Sequence, residues 1–399
     1  TRDRTMKKRV LITGGSGLLA VNWALSIRDE YEVTLLLHQR KIYLKGVKTD
    51  IANISSLDEC KAVLDRHKPD VVIHTAGLTS VEKCEENPNL AQEVNVDLAK
   101  NIAIACDKQN VKLVHISTDH LFSGEGSFVT EESNATPINN YAKTKLEGER
   151  QVQKNCKDAL IIRTNFFCWG TKYRQSFSDF IISKLRNNES IDLFSDVFFT
   201  TILAEELAQK VHQLIDAKAS GVFNVVGSEC MSKYEFGVKL ANCFGLDANL
   251  INEISINDKP NLVKRPKDMS LSNKKICKTL NCKMPSIDEQ LQTLKQQESD
   301  SGINHIRTDI IPYGRHYIDE DDIRSVVDVL RNGMLTQGPK IAEFENRIAD
   351  YVGAKYAVAV ANGTAALHLS CMALELGEGD KVITSPNTFV ATSNSVLYV

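Results

Sequence analysis

The run Val10-Leu-Ile-Thr-Gly-Gly-Ser-Gly-Leu-Leu-Ala20 constrains this chain more than any other stretch. Val10 to Ile12 suit a strand buried on both faces. Gly14, Gly17 and Ala20 follow at the spacing G-x-x-G-x-x-A, and the apolar residues behind them suit a helix. A strand that turns on glycine into a helix N-terminus makes a seat for pyrophosphate. Glycine permits the tight turn and close backbone approach, and the free N–H groups and dipole favour an anion. Gly14, Gly17 and Leu18 are the expected cofactor contacts. A strand and helix packed closely for their own sake would show the same pattern, so the rest of the chain decides.

Strand and helix then alternate. Glu32 to Leu37 reads as a second strand, ending at His38-Gln39-Arg40. Dinucleotide folds place an acid near here for a ribose 2′-hydroxyl, whereas an arginine accommodates a 2′-phosphate. No acid stands at this strand end and Arg40 does, which favours NADP(H) over NAD(H); a solvated loop cation is the other reading. Asp50, after a strand-like Gly46–Thr49, is a candidate contact on the adenine side or an ordinary helix N-cap. Ser56 and Glu59 are spaced as a capping box for a helix to His67. Val71 to Thr75 reads as a strand ending in Ala76-Gly77, small residues that let the backbone approach a cofactor. A helix is expected from about Pro88 to Gln109, and Val111 to Ile116 supply the next buried strand. This alternation predicts a doubly wound parallel sheet covered on both faces.

The chemistry stands at the end of that last strand, in Ser117-Thr118-Asp119, and in Tyr141-Ala-Lys-Thr-Lys145 at the start of a helix. Y-x-x-x-K sets a phenol and an ammonium one helical turn apart on one face. The lysine charge is expected to lower the tyrosine pKa and make the phenol a usable proton donor to a carbonyl oxygen. The Thr118 hydroxyl can bond the same oxygen. The spacing alone is cheap: Tyr351 and Lys355 repeat it, split by Gly353. Tyr141 and Lys145 stand out by their order behind a glycine turn and a Ser-Thr strand end.

Together, Thr13-Gly-Gly-Ser-Gly-Leu-Leu-Ala20, Ser117-Thr-Asp-His-Leu-Phe-Ser-Gly124 and Tyr141-Ala-Lys-Thr-Lys-Leu-Glu-Gly-Glu149 resemble extended short-chain dehydrogenases. Among these the chain is most similar to dTDP-4-dehydrorhamnose reductases. Thr79-Ser-Val-Glu-Lys-Cys-Glu85, the Val-Asn-Val around Asn95, Arg163-Thr164, the segment Phe198 to Glu206 and Arg265-Pro-Lys-Asp-Met-Ser-Leu-Ser272 extend the likeness from Lys8 to about Gln297. The resemblance implies an NAD(P)-binding Rossmann domain with a small sugar-binding cap at roughly Thr171 to Gln297. It makes Thr118, Tyr141 and Lys145 the catalytic trio, reducing the C4 ketone of a nucleotide-linked 4-keto-6-deoxy sugar. Thr79, Asp119 and Arg265 are the substrate candidates, Arg265 for the diphosphate or else as a surface cation. His120 stands where a tyrosine is usual, and Phe199-Thr-Thr201 lacks the usual proline. A non-catalytic NADP-binding subunit, like the methionine adenosyltransferase beta subunit, is the alternative within this fold.

At 399 residues the chain has room for more than one domain. Its net charge of -3 and lack of a basic run give no reason to expect nucleic acid. No apolar run suits a membrane span and no signal peptide opens the chain. The ten cysteines are scattered, and Cys277 and Cys282 have no second pair or histidines to make a metal site. The expectation is a cytoplasmic protein.

Residues 298–309 are expected to be a linker, since apolar periodicity fades over 293–308. Residues 1–297 would then be the reductase-like domain and 310–399 a second one. There, Asp319 to Arg331 and Lys340 to Tyr351 read as helices, Tyr356 to Val360 as a short strand, and Asn362 opens a third helix. Leu335-Thr-Gln-Gly-Pro339, Val360-Ala-Asn-Gly-Thr-Ala-Ala366 and Thr384-Ser-Pro-Asn-Thr-Phe-Val-Ala-Thr392 resemble the start of the DegT/DnrJ/EryC1/StrS sugar aminotransferases, especially those that aminate UDP-4-keto-6-deoxy sugars. The resemblance implies an incomplete α/β domain of fold type I. Gly363, Thr364 and Ala365 would hold the phosphate of pyridoxal 5′-phosphate, and Phe389 would stack on its ring. The Schiff-base lysine of that family is expected beyond Val399, so transamination needs a longer chain, and the polar start before Met6 suggests a partial product. Both families commonly form homodimers.

Overall fold

In the computed structural model, which describes residues 7–300 and 318–399, the alternating first half forms one seven-stranded parallel sheet. Its strands are β1 (Arg9–Thr13), β2 (Glu32–Leu37), β3 (Lys48–Ile51), β4 (Val71–His74), β5 (Lys112–Ile116), β6 (Leu160–Arg163) and β7 (Gly221–Asn224). They lie in the order β7-β6-β5-β4-β1-β2-β3. β1 pairs with β2 on one side and with β4 on the other, Thr13 standing beside both Leu36 and His74. The order reverses there, so the chain leaves β1 and β4 in opposite directions and opens a crevice at their carboxyl ends.

Both faces of the sheet are apolar, as period-2 side chains on a covered sheet must be. Val10 and Ile12 pack with Trp23 and Ala24 of helix α1 (Leu18–Ile27), while Leu11 points the other way to Leu64 of α2 (Leu57–His67) and Ile102 of α3 (Leu98–Gln109). Helix α4 (Asn140–Asn155) joins this second face through Val152. The expected single helix from Pro88 to Gln109 is instead two helices joined by a π-turn at Glu93–Asp97. The wider turn aims Asn95 inward, where its amide accepts from Leu78 N at 2.8 Å and donates to Leu78 O and Thr144 Oγ1, each at 3.1 Å. Gly148 of α4 passes so near that a Cβ there would sit 2.4 Å from Asn95 O.

The region expected as a cap is not continuous. Helix α5 (Ala204–Asp216) and β7 return to the sheet, α5 burying Leu207 and Val211 in the core shared with α1. The cap proper gathers helices Phe177–Arg186 and Lys233–Phe244 around Phe199 and Phe236. Residues 293–300 also differ from expectation, because they end a helix that runs Ile287–Asp300. Their composition is polar, yet Leu294 is fully buried and its carbonyl takes the Trp169 indole N–H at 2.7 Å. The remaining linker residues, 301–309, lie outside the described residues.

The chain divides into units Thr1–Ile311 and Pro312–Val399. The second has helices Glu320–Asn332, Pro339–Val352, Gly363–Ala373 and Ala391–Leu397. Tyr356 to Val360 do not form the expected strand. A strand needs a neighbour for its backbone groups, none of the described residues of this unit supplies one, and Tyr356 and Val358 stay exposed.

One buried ion pair ties α4 to the sheet. The Arg163 guanidinium grips Glu149 through Nε to Oε1 at 3.0 Å and a second nitrogen to Oε2 at 2.7 Å, with both side chains almost wholly buried. Removing one partner leaves an uncompensated buried charge. Glu149→Ala is therefore expected to lower the unfolding free energy by about 3–5 kcal/mol, read as a fall in urea midpoint. Glu149→Leu combined with Arg163→Met should recover most of that loss; an unchanged midpoint in the single variant would refute the assignment.

Candidate active site

The crevice at the β1–β4 reversal is a cavity of about 760 Å³. At its floor Gly14 adopts φ +65, and a Cβ there would lie 2.8 Å from Ala76 Cα and 2.9 Å from Ala76 N. Glycine is required at that position by both conformation and space. Gly17 N donates back to Gly14 O at 2.8 Å, closing the turn, and Gly17 caps α1 without any side-chain hydrogen bond. The first N–H groups of α1 are left for a ligand. These features fit a dinucleotide pyrophosphate.

Gly14, Gly17, Leu18, Ala76, Gly77, Thr79, Thr118, Asp119, Tyr141, Lys145 and Arg265 all line this one cavity. Two expected cofactor residues do not. Asp50 faces α2 instead, taking Arg66 at 2.7 Å and His67 at 2.8 Å. Burial alone would raise its carboxyl, but those hydrogen bonds hold it below the usual range. The cavity wall beyond β3 is made by Asn53, Ile54 and Ser55. Arg40 lies outside the wall but is anchored. Its guanidinium stacks 4.5 Å from the centre of the Tyr173 ring, and the Tyr173 hydroxyl donates to Ser16 O of the glycine turn at 3.0 Å.

The candidate reacting groups come from the carboxyl end of β5 and from α4. Asn139 caps α4 by accepting from Ala142 N at 2.8 Å and ties its start to Lys264 O at 3.0 Å, which fixes Tyr141 in the first turn. Lys145 reaches across to donate to Ile116 O at 2.7 Å. Burial brings its ammonium down to about 8. Tyr141 corrects the expectation of a lowered phenol: burial raises its pKa well above 10, with only the Thr118 hydroxyl pulling the other way. Beneath them His74 and His115 stack at 5.5 Å, and burial holds His74 neutral down to about 3.

The outer end of the cavity is polar. Asp119 accepts from Asn165 Nδ2 at 2.7 Å and from the Thr118 hydroxyl at 3.3 Å. Arg265 is ion-paired with Glu82. Arg174 lines the wall and reaches Thr79 Oγ1 at 3.1 Å. Sequence reasoning missed Arg174, Asn53 and Ser55. The last two follow a strand's carboxyl end, where the sheet rule would have pointed; Arg174 sits in an aperiodic loop that offers no signal.

In the second unit, Gly363, Thr364 and Ala365 begin the Gly363–Ala373 helix, whose first turn is capped by Asn362 accepting from Ala365 N at 2.9 Å. Phe389 is 74 % exposed. Among the described residues these do not by themselves enclose a ring, and no step is derived through pyridoxal phosphate. No helix of the described residues is long and apolar enough to cross a membrane.

Comparison with known proteins gives two family matches, the RmlD substrate binding domain over residues 7–299 and the DegT/DnrJ/EryC1/StrS aminotransferase family over 316–399. The chain is 29% identical to the probable low-salt glycan biosynthesis reductase Agl14 of Haloferax volcanii, over 72% of this chain and 98% of that protein. It is 27% identical to methionine adenosyltransferase 2 subunit beta of Pongo abelii, over 67% of this chain and 81% of that one. The crystal structure of dTDP-4-dehydrorhamnose reductase from Bacillus anthracis in complex with NADP superposes with a TM-score of 0.65 at 26% identity, covering 73% of this chain and 100% of that one. With the glycine turn, the β1–β4 crevice and the Tyr141/Lys145 pair in one cavity, the chain belongs to the RmlD substrate binding domain family and carries behind it a segment of the DegT/DnrJ/EryC1/StrS aminotransferase family.

Proposed function

We propose that the first unit reduces the C4 ketone of a nucleotide-linked 4-keto-6-deoxy sugar with NADPH, in deoxysugar biosynthesis. The observation that carries this reading is the single cavity running from the uncapped start of α1 to Thr118, Tyr141 and Lys145. Gly14, Gly17, Leu18, Ala76 and Gly77 would hold the dinucleotide, and Arg40, anchored on Tyr173, would meet the 2′-phosphate that distinguishes NADPH from NADH. When bound, the cofactor supplies a hydride. Tyr141 then gives its phenolic proton to the ketone oxygen, and a phenol kept protonated by burial is in the right state to do so. Thr118 donates to the same oxygen. Lys145, held at Ile116 O, places its positive charge where the phenolate forms and offsets it. Thr79, Asp119, Arg174 and Arg265 line the part of the wall left for the sugar nucleotide.

The protein would act as a cytoplasmic homodimer; its ten unpaired cysteines, six of them buried, suit a reducing compartment. Amination by the second unit is not part of this reading.

NADPH oxidation with dTDP-4-keto-6-deoxy sugar tests it. Tyr141→Phe should lose about 10²–10⁴-fold in turnover while NADPH still binds. Tight NADPH binding without oxidation of any nucleotide keto-sugar would sink the reductase reading and favour a binding subunit. The pH profile carries a second prediction. A lysine with its pKa near 8 is charged below that pH and loses its proton above it, so kcat/KM for NADPH should be flat at neutral pH and fall above about 8. Lys145→Arg should move that limb upward; a limb that stays put belongs to Lys233, which burial also brings to about 8. Third, Arg40→Ala should weaken NADPH about tenfold and leave NADH unchanged; equal effects on both would remove Arg40 from the 2′-phosphate.

A further inference from the structure

His120 follows Asp119 in the cavity wall, and no step above uses it. Its ring stands edge-on to Tyr141 with centroids 5.5 Å apart. Its backbone is fixed, since His120 N donates to Thr118 Oγ1 at 3.2 Å. The imidazole itself makes no hydrogen bond among the described residues. Nδ1 is sealed from solvent, whereas Nε2 is not sealed; it lies 4.0 Å from Asp119 Oδ1, too far for a hydrogen bond, and has no other partner. Asp119 is already engaged by Asn165 and Thr118.

Leaving a buried polar atom unpaired is costly, and such atoms in native folds call for a reason. As the ring stands no ligand reaches Nδ1, and the open, unpartnered Nε2 in the cavity wall is the atom that a substrate can meet. Burial keeps the ring neutral, with Asp119 pulling its pKa up and Lys233 and Arg265 pushing it down. A neutral imidazole offers one donor and one acceptor, and a hydroxyl answers either. Tyr141 marks where the ketone oxygen sits. A ring packed against Tyr141 lies at the ketone end of such a substrate, and of the two carbons beside C4 only C3 carries a hydroxyl.

We propose that His120 is a substrate-binding residue that holds the hydroxyl on C3, beside the reacting C4 carbonyl, and so selects nucleotide sugars that carry one there. This rests on the reductase reading for the position of the carbonyl. It does not rest on turnover, so it can be tested by binding alone.

The experiment is calorimetric titration of the full chain, loaded with NADP⁺, with dTDP, with a dTDP-linked 6-deoxy sugar, and with the 3-deoxy analogue of that sugar. The wild type should bind the sugar nucleotide more tightly than dTDP or the analogue. His120→Phe should lose about tenfold in affinity for the sugar nucleotide, bind dTDP unchanged, and no longer distinguish the sugar from its 3-deoxy analogue. His120→Gln, which keeps a donor and an acceptor, should retain most of the difference. The proposal is overturned if His120→Phe still favours the 3-hydroxy sugar, or if the wild type does not favour it. Should His120→Phe fail to take up NADP⁺, the wild-type comparison and His120→Gln decide. Sugar binding through His120 without NADPH oxidation would refute the reductase and spare His120; oxidation with no change in His120→Phe would do the reverse.

Discussion

Everything at the site depends on one close approach, that of Gly14 to Ala76. These residues follow the ends of adjacent strands of the parallel sheet, and the backbone at Gly14 passes where a single extra carbon would lie 2.8 Å from Ala76 Cα. That contact pins the start of α1 over the point where strand order reverses. The uncapped N–H groups of α1 and the small strand end Ala76-Gly77 therefore face one space. The nearby carboxyl end of β5, with Thr118 and Asp119, lines the same space. The cleft is a consequence of sheet order, and glycine is what keeps it open.

Burial does the second part of the work. Around Tyr141 and Lys145 lie His74 and His115, both stripped of charge by desolvation, so the ammonium of Lys145 meets little competition and little water. Desolvation raises the phenol and lowers the ammonium, two shifts that oppose the forming of a phenolate–ammonium pair before substrate is present. The resting site thus holds its proton on Tyr141. In such surroundings a developing charge is felt strongly, which is why the hold of Lys145 on Ile116 O matters: it sets where the positive charge stands.

Much of this was legible beforehand, for identifiable reasons. The sheet was readable because strands covered on both faces must be continuously apolar, as Val10–Ile12 and Val71–Ile73 are. That Thr118, Tyr141 and Lys145 line one cavity was legible less from the Y-x-x-x-K spacing than from its order behind a glycine turn and a Ser-Thr strand end, and from the family resemblance. What escaped depended on contacts between distant segments. Asp50 looked free until Arg66 and His67 took it, one helix later in the chain. The π-turn around Asn95 hides inside an unbroken helical pattern, since only its partners Leu78 and Thr144 reveal it. The direction of the Tyr141 shift also escaped, because proximity to a lysine is local and desolvation is a property of the whole fold.

The second glycine turn sharpens the rule drawn from the first. Asn362-Gly-Thr-Ala365 has the same local form, a small-residue turn opening a helix. At Gly363, however, nothing lies within 4 Å of the place a Cβ would occupy, and φ is not in the left-handed region. Its first turn is also capped by the Asn362 side chain, which leaves fewer free donors than at Gly17. Glycine at 14 is demanded by a neighbouring strand, whereas glycine at 363 has no such neighbour among the described residues. At Gly14 an adjacent strand end presses against the turn, and the donors at the start of α1 are left uncapped. The first turn is thus shaped by its neighbouring strand, and the second has no such neighbour among the described residues.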